Sequence, residues 1–163
     1  MSYRIGILTL SDKGARGERV DSSGPLLATL VADLGPVVKM AIIPDDAATI
    51  EKTLCAWADA EQLQLILTTG GTGLSPRDVT PEATLRVVDR LVPGMAEAMR
   101  AASLLKTPHA MLSRAVVGIR GATLIINLPG SPRGASENLA ILLPALGHAL
   151  AKLQGDPADC AIP

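Results

Sequence analysis

The segment Thr69-Gly70-Gly71-Thr72-Gly73 puts three glycines within four residues. Glycine turns into positive φ at little cost and lets backbone come close to a ligand. Successive N–H groups in such a turn form a nest that holds anions. Thr69 and Thr72 add hydroxyl donors, and Arg77-Asp78-Val79-Thr80-Pro81-Glu82 follows, a cation and a carboxylate just ahead of a helix start. The loop is neither a Walker A motif, since no Gly-Lys-Ser or Gly-Lys-Thr follows, nor a Gly-x-Gly-x-x-Gly fingerprint. Taken alone it is equally consistent with a plain strand–helix turn. Asp45, in Pro44-Asp45-Asp46, adds a second carboxylate at a strand end. Asp45 and Asp78 near a phosphate suit a Mg²⁺ site, because Mg²⁺ prefers oxygen ligands and bridges phosphate oxygens. The competing roles are helix capping for Asp45 or Asp46 and loop orientation for Asp78.

Two further strand ends carry polar groups. Asn127-Leu128-Pro129-Gly130-Ser131-Pro132 is a tight turn whose backbone donors and Ser131 can hold a polar group, and Ser11-Asp12 closes the first strand. His109 follows Pro108 in a loop, and His148 lies among apolar helical residues, where a structural role is expected. No Cys–His or Ser–His–Asp arrangement stands out, so the chemistry is expected to need no imidazole base.

The elements that must position these groups are legible from apolar spacing. Tyr3 to Leu10, Val37 to Ile43 and Leu63 to Thr68 read as strands, the last with a continuous apolar run that implies burial on both faces. Ser11 to Gly24 reads as a polar loop. Ser22 or Ser23 then caps a helix with Pro25 in its first turn and Leu26, Leu27, Leu30, Val31 and Leu34 on one face, stopped at Gly35-Pro36. Ile50, Leu54 and Trp57 mark the next helix. Thr80 is expected to cap another, with Pro81 at its first position. Pro93-Gly94 breaks the chain before a helix over Met95 to Leu105. Ser113 to Ile119 and Thr123 to Leu128 form an antiparallel hairpin across Arg120-Gly121-Ala122. The remainder to about Leu153 is helical, with Pro144 and Gly147 expected to kink or divide it. Alternating strands and helices predict an α/β fold: a mostly parallel sheet with one antiparallel strand and helices on both faces, a three-layer sandwich. In such sheets the ligand crevice lies at the carboxyl ends of the strands, where Ser11-Asp12, Asp45-Asp46, Thr69 to Gly73 and Asn127 to Ser131 all fall.

At 163 residues the chain is one domain on the usual allowance of about 150 residues each, with residues 1–155 as the domain and 156–163 as a loosely held tail. Nearly half of it, 48%, is hydrophobic, yet it holds no Phe, one Trp and one Tyr, so the core must be aliphatic. Charged residues make up only 19%, which fits either surface buried in an oligomer or a compact monomer. A net charge of −1, the lack of a basic stripe and the scarcity of aromatic rings for base stacking argue against nucleic acid as a partner. No apolar run is long enough to span a bilayer. Met1-Ser2-Tyr3-Arg4 leads straight into the first strand without a signal-peptide cleavage site, and Cys55 and Cys160 lack metal-ligand spacing. A reduced, cytoplasmic protein with two incidental thiols is therefore expected, rather than a Cys55–Cys160 disulfide.

Leu67-Thr68-Thr69-Gly70-Gly71-Thr72-Gly73 with Arg77-Asp78-Val79-Thr80-Pro81-Glu82-Ala83-Thr84 closely resembles the signature of the molybdopterin adenylyltransferase family. Pro93 to Arg100, Met111 to Gly121 and Thr123 to Ser131 resemble the G domain of gephyrin, and Ser11-Asp12 and Ile43-Pro44-Asp45 also fit, so the resemblance covers essentially the whole chain. It implies a homotrimer that binds molybdopterin at the sheet edge, transfers AMP from ATP to it with Mg²⁺, releases pyrophosphate, and passes adenylyl-molybdopterin to a molybdenum insertase. Carried over by position, Asp45 and Asp78 become the essential carboxylates and Mg²⁺ ligands. Ser11, Asp12, Thr69, Gly70, Gly71, Thr72, Gly73, Arg77, Asn127, Pro129, Gly130 and Ser131 become the binders of nucleotide and pterin. Insertase domains share this fold but usually read Gly-Gly-Val-Ser at the loop, which counts against that branch. These residues include neither the insertion some bacterial members carry before the last helix nor gephyrin's fused insertase domain, so no scaffolding role is implied. A non-catalytic molybdopterin-binding paralogue, and a nucleotide pyrophosphatase on the same fold, are the alternatives.

Overall fold

The computed structural model describes residues 2–157. Its six strands form one sheet in the order β2-β1-β3-β6-β5-β4, with β1 at Ile5–Leu10, β2 at Val37–Ile43, β3 at Leu65–Thr69, β4 at Arg90–Leu91, β5 at Val117–Arg120 and β6 at Thr123–Leu128. β1, β2, β3 and β6 pair in parallel, and β5 is antiparallel to both neighbours. Among the described strands β5 alone therefore runs against the rest. Thr9 pairs with Thr69 and Thr69 with Leu128, while Leu10 pairs with Ile43. The carboxyl ends of the four parallel strands thus finish level at one edge.

Alternation along the strands divides the core in two. Ile5, Ile7, Leu65, Leu67, Leu124, Ile126 and Leu128 face one way. They pack on α2 (Ser23–Leu30), α5 (Pro93–Leu104) and α6 (Pro132–Leu153). Leu8, Leu10, Ile66 and Ile125 face the other way, against α3 (Ala47–Cys55), the π-helical turn Ala56–Ala60 that carries Trp57, and α4 (Thr80–Val87). Both faces of β3 are covered, as its unbroken apolar run demands.

Several local expectations are corrected. The loop after β1 contains a short helix, α1 (Asp12–Ala15), because Ser11 caps it. Ser22 and Ser23 do not cap α2 through their side chains; Asp21 Oδ1 takes the N–H groups of Ser23 and Gly24, both at 3.0 Å. α2 also ends at Leu30 rather than reaching Gly35. Thr80 is not a cap: it lies inside α4, and its hydroxyl donates to the Gly70 carbonyl at 3.0 Å. Pro93 opens α5 instead of merely breaking the chain. Pro108–Leu112 forms a 3₁₀ turn, so β5 starts only at Val117. α6 runs unbroken through Pro144 and Gly147. Both Pro144 and Ala140, whose carbonyl loses its helical partner, lie toward the solvent side, where the helix tolerates the loss. His148 lies at the surface of α6 rather than in the core. The loose tail falls mostly, and Cys160 wholly, outside the described residues.

Candidate functional site

At the end of β1, Ser11 Oγ accepts the Gly14 N–H at 3.0 Å and turns the chain into α1. At the end of β2, Asp46 caps α3 by accepting the Thr49 N–H at 2.9 Å, which leaves Asp45 free of that task. Asp45 is instead locked to Asp12. The Asp12 N–H donates to Asp45 Oδ2 at 3.1 Å, and the Asp45 N–H donates to Asp12 Oδ1 at 3.0 Å. Arg77 lays its guanidinium fork on the Asp12 carboxylate at 2.8 to 3.0 Å. Asp45 Oδ1 has no protein hydrogen-bond partner among the described residues.

The glycine loop runs beside this pair. Gly70 has φ 108° and Gly71 φ 66°, conformations that a side chain resists. Space forbids one too. A Cβ on Gly70 would strike the Leu10 carbonyl, and one on Gly71 would meet the Thr80 hydroxyl and come 3.1 Å from Asp45 Oδ1. The loop is pinned by the Gly70 N–H to Leu128 O at 3.1 Å and the Thr80 N–H to Gly71 O at 3.1 Å. Asp78 folds back on the loop. Its N–H donates to Ser75 O at 2.8 Å, its Oδ2 accepts the Ser75 N–H at 2.9 Å, and that oxygen lies 2.9 Å from where a Gly73 Cβ would stand. Asp45 and Asp78 thus press bare backbone of one loop.

Two clefts of about 320 Å³ each flank that loop. The first is lined by Ser11, Asp45, Asp78, Thr69, Gly70 and Gly71, with Gly130 and Ser131 beside the loop. The second has Thr72, Gly73 and Pro129 on one wall and Arg100, Lys106 and His109 on the other, and it too reaches Ser131. The expected binding residues are therefore split between two sides of one wall. Asp12 and Arg77 lie outside both linings and act on Asp45 through the reciprocal bonds. Asn127 is a correction: it is fully buried in β6, its amide nitrogen donating to Thr68 Oγ1 and Thr84 Oγ1, both at 3.0 Å, while its oxygen accepts from Val116 N. Its side chain is spent on tying β6 to β3, α4 and the entry to β5, so it orders the sheet edge rather than a ligand.

Charge is distributed unevenly. Burial, and then the neighbouring carboxylates of Asp12 and Asp78, push the Asp45 carboxyl above the ordinary aspartate range, against the lowering by the Asp12 N–H. The Arg77 guanidinium holds Asp12 below that range. A half-buried carboxylate whose charged form is disfavoured, with one oxygen unspent, gains from a cation. Among the described residues no group of three or more His, Cys, Asp or Glu forms a cage. The donors Asp45 and Asp78 suit Mg²⁺, which takes one or two carboxylates and completes its shell with water and phosphate oxygens.

Residues outside the expected set also build the site. Asp21 accepts from Thr9 Oγ1 at 2.7 Å, and the Ser23 hydroxyl donates to Gly130 O at 3.0 Å, tying α2 to the turn after β6. An Asp two residues ahead of a serine at a helix start is a capping signal that marks Asp21. Arg114 clasps the glycine loop from 36 to 41 residues away, and nothing local in the sequence announces it.

Residues 6–148 match the family described as "Probable molybdopterin binding domain". The molybdopterin adenylyltransferase of Helicobacter pylori J99 is 40% identical over 158 residues, covering 95% of this chain and 90% of the relative. That of Escherichia coli K12 is 43% identical, covering 90% and 77%. Gephyrin of Dictyostelium discoideum is 40% identical, and the chain spans only 23% of its length. The crystal structure of the molybdopterin biosynthesis enzyme MoaB of Thermus thermophilus superposes with a TM-score of 0.90 at 54% identity, covering 96% of this chain and 99% of that one. The chain belongs to the molybdopterin-binding-domain family of molybdenum-cofactor biosynthesis proteins.

Proposed function

We propose that this protein is a molybdopterin adenylyltransferase, which transfers AMP from ATP to molybdopterin and releases pyrophosphate. The observation that carries the reading is the pair Asp45 and Asp78, pressed against one glycine loop that separates an acidic cleft from a cationic, apolar-lined one. A phosphate oxygen of molybdopterin attacks the α-phosphorus of ATP. The new P–O bond forms as the bond from the α-phosphorus to the oxygen bridging to the β-phosphate breaks, and the electron pair leaves with pyrophosphate. A phosphate monoester, with its second pKa at about 6, is already ionised at neutral pH. No protein base is needed, and the work left to the protein is alignment and charge neutralisation.

In this reading the acidic cleft takes the triphosphate, with the Gly70–Gly71 backbone and Ser131 as donors. The second cleft takes the pterin, whose flat ring suits its apolar wall and whose anionic groups suit Arg100 and Lys106. Asp45 and Asp78 would hold Mg²⁺, which would supply neutralisation of charge on the phosphates. Ser131, reached from both sides, and its neighbour Gly130 set the two phosphates face to face. The chain acts as a cytoplasmic homotrimer that hands its product to a molybdenum insertase. Support for assembly comes from the exposed Leu105, Met111 and Leu112 clustered at the end of α5 and the 3₁₀ turn.

The test is incubation with molybdopterin, ATP and Mg²⁺, followed by chromatography for adenylyl-molybdopterin and pyrophosphate. No product from demonstrably intact molybdopterin sinks the reading. Tight pterin binding without turnover would mark a carrier, and ATP hydrolysis without pterin a pyrophosphatase. Sedimentation at three times the 16.8 kDa chain mass tests the trimer.

A further inference from the structure

Arg114 lies between the 3₁₀ turn and β5, and its main-chain N–H donates to Thr72 O at 2.9 Å. Its guanidinium then reaches three acceptors: Nε to Gly73 O at 2.7 Å, Nη2 to Asp78 O at 2.5 Å, and Nη1 to the Glu82 carboxylate. These acceptors bracket the whole segment from the glycine loop to the first turn of α4. Arg100 secures the backbone on either side of this arginine from α5, through Nη1 to Ala115 O at 2.8 Å and Ser113 O at 3.4 Å. We infer that Arg114 is a positioning residue for nucleotidyl transfer: it sets the distance between Asp78 and the glycine loop. The inference rests on the adenylyltransferase reading for its rate measurements.

Three acceptors of different direction need the fixed fork of an arginine, and a lysine ammonium can satisfy only part of the set. A Cβ on Gly73 would stand 2.9 Å from Asp78 Oδ2, so the carboxylate lies beside the loop, and releasing both carbonyls loosens the spacing between them. Glu82 pairs with this arginine through Oε1 while its side chain stays partly exposed, so the ion pair adds to the fork's geometry more than to its energy.

Arg114→Lys and Arg114→Ala are compared with the unaltered protein for kcat, molybdopterin KM, thermal stability and Mn²⁺–ATP affinity by calorimetry. A 1 Å misplacement costs about a hundredfold, so both variants are expected to lose about that in kcat. Molybdopterin KM should move by less than about threefold, as for loss of an interaction that acts in the transition state. Mn²⁺–ATP binding should weaken in step with kcat, and free guanidinium should restore part of the rate of Arg114→Ala. Full turnover in either folded variant, unaltered Mn²⁺–ATP binding, or rate and stability falling together without rescue would overturn the inference. If Arg114→Ala fails to fold, Arg114→Lys decides it. If the unaltered protein forms no product, the adenylyltransferase reading fails, and Mn²⁺–ATP binding alone decides the role of Arg114.

Discussion

The two clefts share a wall but not a chemistry. On one side the carboxylates of Asp21, Asp45 and Asp78 stand among hydroxyls and glycine backbone, with Arg19 as the one cation in the lining. On the other, Arg100, Lys106 and His109 face a more apolar lining. The first is built where parallel strands end, so its groups are set by backbone hydrogen bonds of the sheet edge and glycine loop. The second is built by the end of α5, the 3₁₀ turn and the start of α6, where exposed side chains set the character. Under the proposed function, the sheet-edge cleft would align the reacting phosphates and the helix-lined cleft would recognise the pterin.

The sharpest way to break this comparison is Asp78→Asn. If Asp78 works on the reacting phosphates, kcat should fall by about a hundred- to a thousandfold while molybdopterin affinity stays close to unaltered. Steady-state kinetics with a separate pterin-binding titration measures both, and equal losses would assign Asp78 to binding. Gly71→Ala attacks the shared wall. Positive φ together with the collision at Thr80 should cost about 1–3 kcal/mol of stability, seen in chemical denaturation, and weaken both ligands together. Loss of one ligand alone would show that the clefts are independent.

Acidification sharpens the acidic side. The Asp45 carboxyl is held above the ordinary range, so it takes up a proton at higher pH than Asp12, whose carboxyl Arg77 holds low. The signs are opposite. Asp45 contributes stability below its unfolded pKa and loses it as pH rises through the raised folded value. Asp12 contributes above its unfolded pKa and loses it as pH falls through the lowered one. Mn²⁺ affinity, titrated from neutral pH down to about pH 3, should therefore decline before the Asp12–Arg77 pair opens. A decline only below the ordinary aspartate range would remove Asp45 from the cation site. The smallest effect belongs to the helix-lined side. Lys106 is half exposed and paired with Glu137 at 3.3 Å, so Lys106→Ala should raise the molybdopterin KM by only about three- to tenfold, read from initial rates.

Sequence periodicity made the layered sheet legible because β1, β3 and β6 are buried on both faces and carry apolar residues at most positions. β4 escaped because two exposed residues hold no pattern. Pro144 misled because a helix-breaking residue is tolerated where the freed carbonyl lies toward the solvent side. Thr80 misled because a hydroxyl in a capping position found the Gly70 carbonyl instead. Asn127 misled because its place beside the Pro129–Ser131 turn suggested a ligand, whereas its side chain points into the core.

Local sequence by itself determined where backbone could bend toward an anion, which strand ends carried carboxylates, and which residues had to be buried. Those properties follow from φ freedom, charge and apolar spacing, all of which act within a few residues. Tertiary structure alone decided that Asp12 braces Asp45 across 33 residues, that Arg77 neutralises Asp12 across 65, and that Arg114 reaches back 41 to hold Gly73. It also decided that one glycine loop walls two clefts. Hydrogen bonds and ion pairs between distant segments depend on the register of the sheet and the packing of helices on it. No window along the chain contains that register.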